Sequence, residues 1–142
     1  MGAVVAGWRE RVDLPDWGID GLRAKLDTGA RTSALHVTHV MELGDGRVTF
    51  EVLPRRRSDR RVPVTALLVR ITRVRSSTGS VTTRHVVRTR LRMGTIEREI
   101  ELTLVDRGAM IHRMLIGRTG LTGVVVDPSR RYVITQVRKD PG

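Results

Sequence analysis

There is no cysteine among the 142 residues. Disulfides, thiolate zinc sites and cysteine nucleophiles are excluded together. Asparagine is absent as well. Aromatic residues are only Trp8, Trp17, Phe50 and Tyr132, or 3% of the chain. A core must therefore be packed from Val, Leu, Ile, Met and Ala. A surface that stacks nucleobases has little to work with, so nucleic acid is not expected as a partner. No apolar run approaches the roughly 18 residues of a membrane-spanning helix. The opening "MGAVVAGWRE" has too short an apolar stretch and no basic lead for a secretory signal. It also lacks the Ser or Thr of a myristoylation signal. A cytoplasmic protein without membrane contact is expected. The H-E-x-x-H zinc helix, the P-loop and the Rossmann glycine pattern do not occur. No G-x-S-x-G marks a serine nucleophile.

What is abundant is arginine. The net charge is +11, and lysine occurs only at Lys25 and Lys139. Two readings fit: a genome that favours arginine codons, or an acidic or polyanionic partner. The length fits one domain, expected to run over residues 1–142.

Short segments rich in Val, Leu, Ile and Thr alternate with turn signals, an all-β pattern. Strands are expected at 4–14, 21–27, 34–43, 47–53, 63–74, 81–93, 96–105, 113–116 and 131–137. One short helix is expected after Gly117, over 118–122. In "VVRTRLRMGTIEREIEL", Gly94-Thr95 reads as a two-residue hairpin turn. Counting outward opposes Arg92 to Glu97, Arg90 to Glu99 and Arg88 to Glu101. Such cross-strand pairs contribute about 0.2–1 kcal/mol each. Much of the local positive charge thus has a use inside the fold. Arg84 continues that face without an evident acid. Two hairpins could serve as a mobile cover over a cleft: 39–53 around "LGDGR", and 68–86 around "SSTGS". The second is preferred for its small, polar tip.

The histidines are His36, His39, His85 and His112. His36 and His39 lie three apart on an expected strand and so point to opposite faces. They read as surface or half-buried residues rather than metal ligands. No metal and no cofactor are expected.

Residues 26–35 read "LDTGARTSAL". Leu22, Ala24 and Leu26 alternate with Arg23 and Lys25, so a strand ends at Asp27 and Thr-Gly-Ala makes a turn. Taken alone this is either an Asx-type turn or a catalytic loop. Late in the chain "MLIGRTGLTG" (114–123) gives a short apolar strand, then Gly117 and Arg118.

The two stretches together resemble retropepsin-like aspartic peptidases. "GWRERVDLPDWGIDGLRAKLDTGARTSALH", "RHVVRTRLRMG", "EIELTLVDR" and "MIHRMLIGRTGLTG" extend the likeness from about Gly7 to Val133. Over that span the chain is similar to a RimK-associated family that carries the label of ATP-dependent zinc proteases. The residues carry neither a zinc nor an ATP motif, so the family is read as retropepsin-like. The resemblance implies an all-β, closed barrel of the acid-protease type with one short C-terminal helix. It implies Asp27 as the catalytic carboxylate, supported in its loop by Thr28, Gly29 and Ala30. Ile116, Gly117 and Arg118 would pack beneath that loop. Such enzymes need two carboxylates that share a proton, one as general base and one as general acid. A single D-T-G therefore implies a homodimer. Viral members commonly carry an acid after D-T-G-A, which pairs with the Gly-Arg arginine. Here Arg31 stands there. Arg118 is then expected to find Asp106, Asp127 or the Asp13–Asp16 region. Arg31 becomes a candidate substrate-binding residue for an acidic protein or peptide. Two alternatives remain open: a non-catalytic peptide-binding or dimerisation module, and a zinc-dependent protease.

Overall fold

The computed structural model describes residues 3–55, 59–106 and 112–135. Strands dominate: β1 Val4–Gly7, β2 Arg9–Leu14, β3 Ile19–Leu26, β4 Ser33–Glu42, β5 Arg47–Val52, β6 Val62–Arg75, β7 Val81–Met93, β8 Ile96–Val105, β9 Met114–Ile116 and β10 Val124–Asp127. Two 3-10 turns, Pro15–Trp17 and Arg118–Gly120, complete the description. The helix expected over 118–122 is the second of these, a single tight turn.

Eight strands form one sheet in the order β2-β3-β9-β4-β5-β6-β7-β8. It curls back on itself, because β8 also pairs with β4 and β2 also pairs with β7. The inner face follows the period of two expected of half-buried strands. Val12, Leu14, Leu22, Ala24, Leu26, Leu35, Val37, Phe50, Leu91, Leu102, Met114 and Ile116 are among the side chains that fill it. Trp17 packs edge-on against Phe50, with ring centroids 5.5 Å apart.

The β7–β8 hairpin has the register read from the sequence. Arg92 faces Glu97, Arg90 faces Glu99, and Arg88 faces Glu101. Side chains depart from strict opposition: Arg90 reaches diagonally to Glu97 at 3.3 Å, while Glu101 binds both Arg88 (3.2 Å) and Arg70 of β6 (2.7 Å). Both cover candidates are hairpins, β4–β5 and β6–β7. The β6–β7 tip is tied by its own hydroxyls, with Ser76 Oγ 2.8 Å from Thr78 and 2.7 Å from Ser80.

Three expectations are corrected. The strand expected over 4–14 is two strands that break at Trp8, whose N–H donates to the Arg130 carbonyl. There the chain leaves the parallel β1–β10 pair and joins the large sheet. Residues 131–135 are not a strand, and 136–137 lie outside the described residues. Tyr132 N–H donates to the Arg9 carbonyl, and the backbone donors of 133–135 go to one buried carboxylate, Glu10. It accepts from the N–H groups of Gly7 (2.7 Å), Val133 (2.9 Å), Ile134 (3.3 Å) and Thr135 (3.0 Å), and from the Thr135 hydroxyl. Finally, His36 is fully buried rather than surface or half-buried.

Candidate active site

Strand β9 lies between β3 and β4. It runs parallel to β3, with Leu26 opposite Ile116, and antiparallel to β4, with Ala34 opposite Leu115. The chain therefore leaves β3 at Leu26, turns over the end of β9 through residues 27–32, and returns as β4. The turn is the "DTGART" segment. Its position is fixed because both of its ends are hydrogen-bonded to the same short strand.

The loop is built from backbone bonds. Asp27 N–H donates to the Ile116 carbonyl at 2.8 Å, and Ala30 N–H to the Asp27 carbonyl at 3.2 Å. Asp27 Oδ1 accepts from Gly29 N–H at 3.0 Å, so the local turn is an Asx turn. The two readings of the stretch are thus compatible: the acid makes the turn, and the turn holds the acid. A β-carbon at Gly29 would sit 3.3 Å from that carboxylate oxygen and crowd it. Asp27 and Ala30 are half-buried; Thr28, Gly29 and Arg31 are exposed.

The "IGR" segment closes the loop from below. Arg118 N–H donates to the Ala30 carbonyl at 2.8 Å, and Thr119 N–H to Arg31 at 3.1 Å. The Arg118 guanidinium donates to the carbonyls of Thr28 and Gly29, each at 3.1 Å. This corrects the expected carboxylate partner: outward-turned carbonyls need donors as much as an acid needs a cation. Gly117 is obligatory, since a β-carbon there would lie 2.6 Å from the Thr32 carbonyl carbon. Its N–H donates to the buried Ser33 hydroxyl at 3.0 Å. Ser33 is a site residue that sequence reasoning missed. The signal was present, a small hydroxyl where β4 begins, but its partner lies 84 positions away.

A family model described as RimB-like, the retropepsin-like aspartic endopeptidase RimB, matches residues 5–137. The chain belongs to the RimB-like family. In this RimB-like chain the eight sequence-predicted site residues are all in one place: Asp27, Thr28, Gly29, Ala30 and Arg31 in the loop, and Ile116, Gly117 and Arg118 bonded beneath it. A protein of unknown function from Legionella pneumophila, Lpg0085, shares the fold with a TM-score of 0.76 at 24% identity. The alignment covers 92% of this chain and 98% of that one. Among named relatives, a probable alpha-L-glutamate ligase of Parasynechococcus marenigrum is 35% identical over 143 residues. Another from Desulfotalea psychrophila is 34% identical over 142. Each match covers 96% of this RimB-like chain but only 30% of the relative. The chain thus spans about a third of the length of those relatives.

No group of three or more His, Asp or Glu side chains converges as a metal cage among the described residues. No helix among them is long and apolar enough to cross a membrane. His36 is held below its ordinary pKa by burial first and by the nearby Arg113 second. His112 is lowered by burial, then by Arg9, Lys25 and Arg23.

Proposed function

We propose that this RimB-like chain is an aspartic endopeptidase that works as a homodimer. The observation that supports this most is the clamped loop: Asp27 is bonded through its backbone to Ile116, while Arg118 holds the carbonyls of the next two residues. Such fixing costs nothing at the moment of reaction, as a preorganised catalytic group requires. One copy supplies one carboxylate. Among the described residues no hydrogen bond or ion pair joins Asp27 to a second acid. The partner's Asp27 completes the pair. One ionised carboxylate then takes a proton from water, which attacks the scissile carbonyl. The protonated carboxyl donates to the carbonyl oxygen, and the resulting diol collapses with cleavage of the C–N bond as the carboxyl that took the water proton passes it to the leaving amine nitrogen. Two like charges side by side resist joint ionisation, which keeps one of them protonated.

The β1–β10 pair favours association. Val5 and Val125 are opposed in register and are 46% and 52% exposed, so each protomer offers an apolar, two-stranded edge. The β6–β7 hairpin is the cover over the cleft. Its strands are the longest among the described residues, and their ladder continues to Arg75 opposite Val81. Water is excluded when such a cover closes.

The substrate is a polypeptide rich in acidic side chains. The surplus of arginine supports this, as do relatives named for joining glutamate. The deciding experiment offers wild type and Asp27→Asn a broad peptide pool across pH. Wild type cleaves and the variant does not. Equal cleavage by both ends the aspartic-peptidase reading.

A further inference from the structure

The registers of the closed sheet define one continuous row of side chains. Arg9 of β2 is opposite Lys25 of β3. Lys25 is opposite Leu115 of β9, and Leu115 is opposite Ala34 of β4. Ala34 is opposite Thr103 of β8, Thr103 opposite Val86 of β7, and Val86 opposite Arg70 of β6. Opposed residues share a face. Flanking residues Leu26, Ile116, Leu35 and Leu102 are core, so this row lies on the other side of the sheet. The alternation also puts position 27 on the Lys25 side. The row therefore runs beside the catalytic loop. Its middle is small or apolar and its near end is cationic, whereas Arg70 at the far end is paired with Glu101. A groove of about 740 Å³ occupies the far end, where Arg31, Arg70 and Arg88 are balanced in part by Glu99 and Glu101.

The near end contains an electrostatic anomaly. Arg9 faces Lys25, and one step along Arg11 faces Arg23. Like charges directly opposed destabilise a sheet. On β7–β8 the chain sets glutamates against its arginines. On β2–β3 it does not: none of the four cations has a carboxylate ion pair among the described residues. Arg9 is nonetheless held in place. Its Nε donates to His112 Nε2 at 3.0 Å, and its guanidinium lies 4.6 Å from the Trp8 ring centroid. That bond needs a neutral imidazole, and burial first, then the cations Arg9, Lys25 and Arg23, lower the pKa of His112 and favour that form. The two terminal nitrogens of Arg9 remain as a fork of the kind that binds carboxylates in pairs.

We propose that Lys25 and Arg9 form the subsite that takes an acidic substrate side chain next to the scissile bond. The inference rests on the peptidase reading above and moves charge selection from Arg31, on the far wall, to the strand that carries Asp27. An acidic side chain would lay its methylenes against Leu115 and place its carboxylate between the two cations.

The test uses three peptides that differ only in carrying Glu, Gln or Lys at the residues flanking one cleaved bond. Initial rates give kcat/KM for wild type, Lys25→Glu and Lys25→Met. Wild type prefers Glu to the isosteric Gln by about tenfold or more. Lys25→Met flattens that ratio, and Lys25→Glu shifts the preference to the Lys peptide. Lys25 is exposed, and the readout is a ratio between peptides on the same enzyme, so a smaller folded fraction cancels from it. An unchanged Glu-to-Gln ratio in Lys25→Met overturns the inference, as does a flat ratio in wild type; the peptidase reading survives either. If wild type cuts none of the peptides and none of a broad pool, the peptidase reading falls and takes the inference with it.

Discussion

At the residue scale, the chain relies on a few polar groups whose partners lie far away in sequence. Glu10 is the clearest. Burial pushes its pKa up, but Thr135 and the N–H groups of Gly7, Val133 and Ile134 pull it down further, so the net shift is below the ordinary 4.5. A lowered carboxylate pKa stabilises the fold above the unfolded value, and that stability is lost as pH falls through the folded one. Glu10→Gln should cost about 2–3 kcal/mol in urea unfolding, because an amide cannot accept at both ends. It should also reduce the acid limb of the stability profile below pH 4.5. His36 and His112 act in the same sense at higher pH. Both are lowered from 6.5, so their neutral forms stabilise the fold above that value and the contribution fades as pH falls below it. Thermal melts between pH 7 and 5 should show this loss, and His112→Gln should shrink it. Gly117→Ala should destabilise by about 2 kcal/mol or more, since the new methyl meets backbone that cannot move aside. Asp27 and Gly117 were legible through the family resemblance that "DTGA" and "IGR" carry together; alone, the Asp27 stretch left a turn and a catalytic loop both open. Glu10 was not: in "WRERVD" it looks like one more surface charge. Its phase with Val12 and Leu14 placed it inward, yet all its donors but Gly7 lie 123–125 residues on.

At the element scale, hairpins were readable and long-range pairings were not. The β7–β8 register follows from one glycine turn and the alternation around it. By contrast β10 escaped notice, because "VVVD" is four residues long and its partner is a parallel strand at the other end of the chain. A strand was expected over 131–137 on composition; Glu10 claims the N–H groups of 133–135 that a ladder would need. The Arg118 contacts are also an element property, since they tie the second 3-10 turn to the Asp27 loop. Arg118→Met leaves the Thr28 and Gly29 carbonyls to water. Each bond is worth about 1 kcal/mol, so a modest fall in Tm is expected. The fall in kcat should be larger than the change in KM, because the loop loses its fixed geometry.

At the scale of the whole molecule, the closed sheet turns a polar loop and a charged row outward, and the separate β1–β10 pair exposes Val5 and Val125. In the proposed mechanism a single copy carries half of the catalytic pair, so activity depends on association. Sedimentation should show a dimer that dissociates on dilution, with Tm rising with protein concentration. Replacing Val5 and Val125 together by Glu should give a folded monomer without activity. With a net charge of +11, cleavage of an acid-rich peptide should slow as salt rises, whereas a neutral peptide should be nearly unaffected. The most direct measurement of shared catalysis mixes a fixed amount of wild type with increasing Asp27→Asn chain, refolded together, at saturating peptide. If each active site needs one Asp27 from each protomer, activity falls towards zero as mixed dimers replace wild-type pairs. Activity that stays constant as the variant is added would mean that a single chain carries the whole site, and would contradict the homodimeric peptidase.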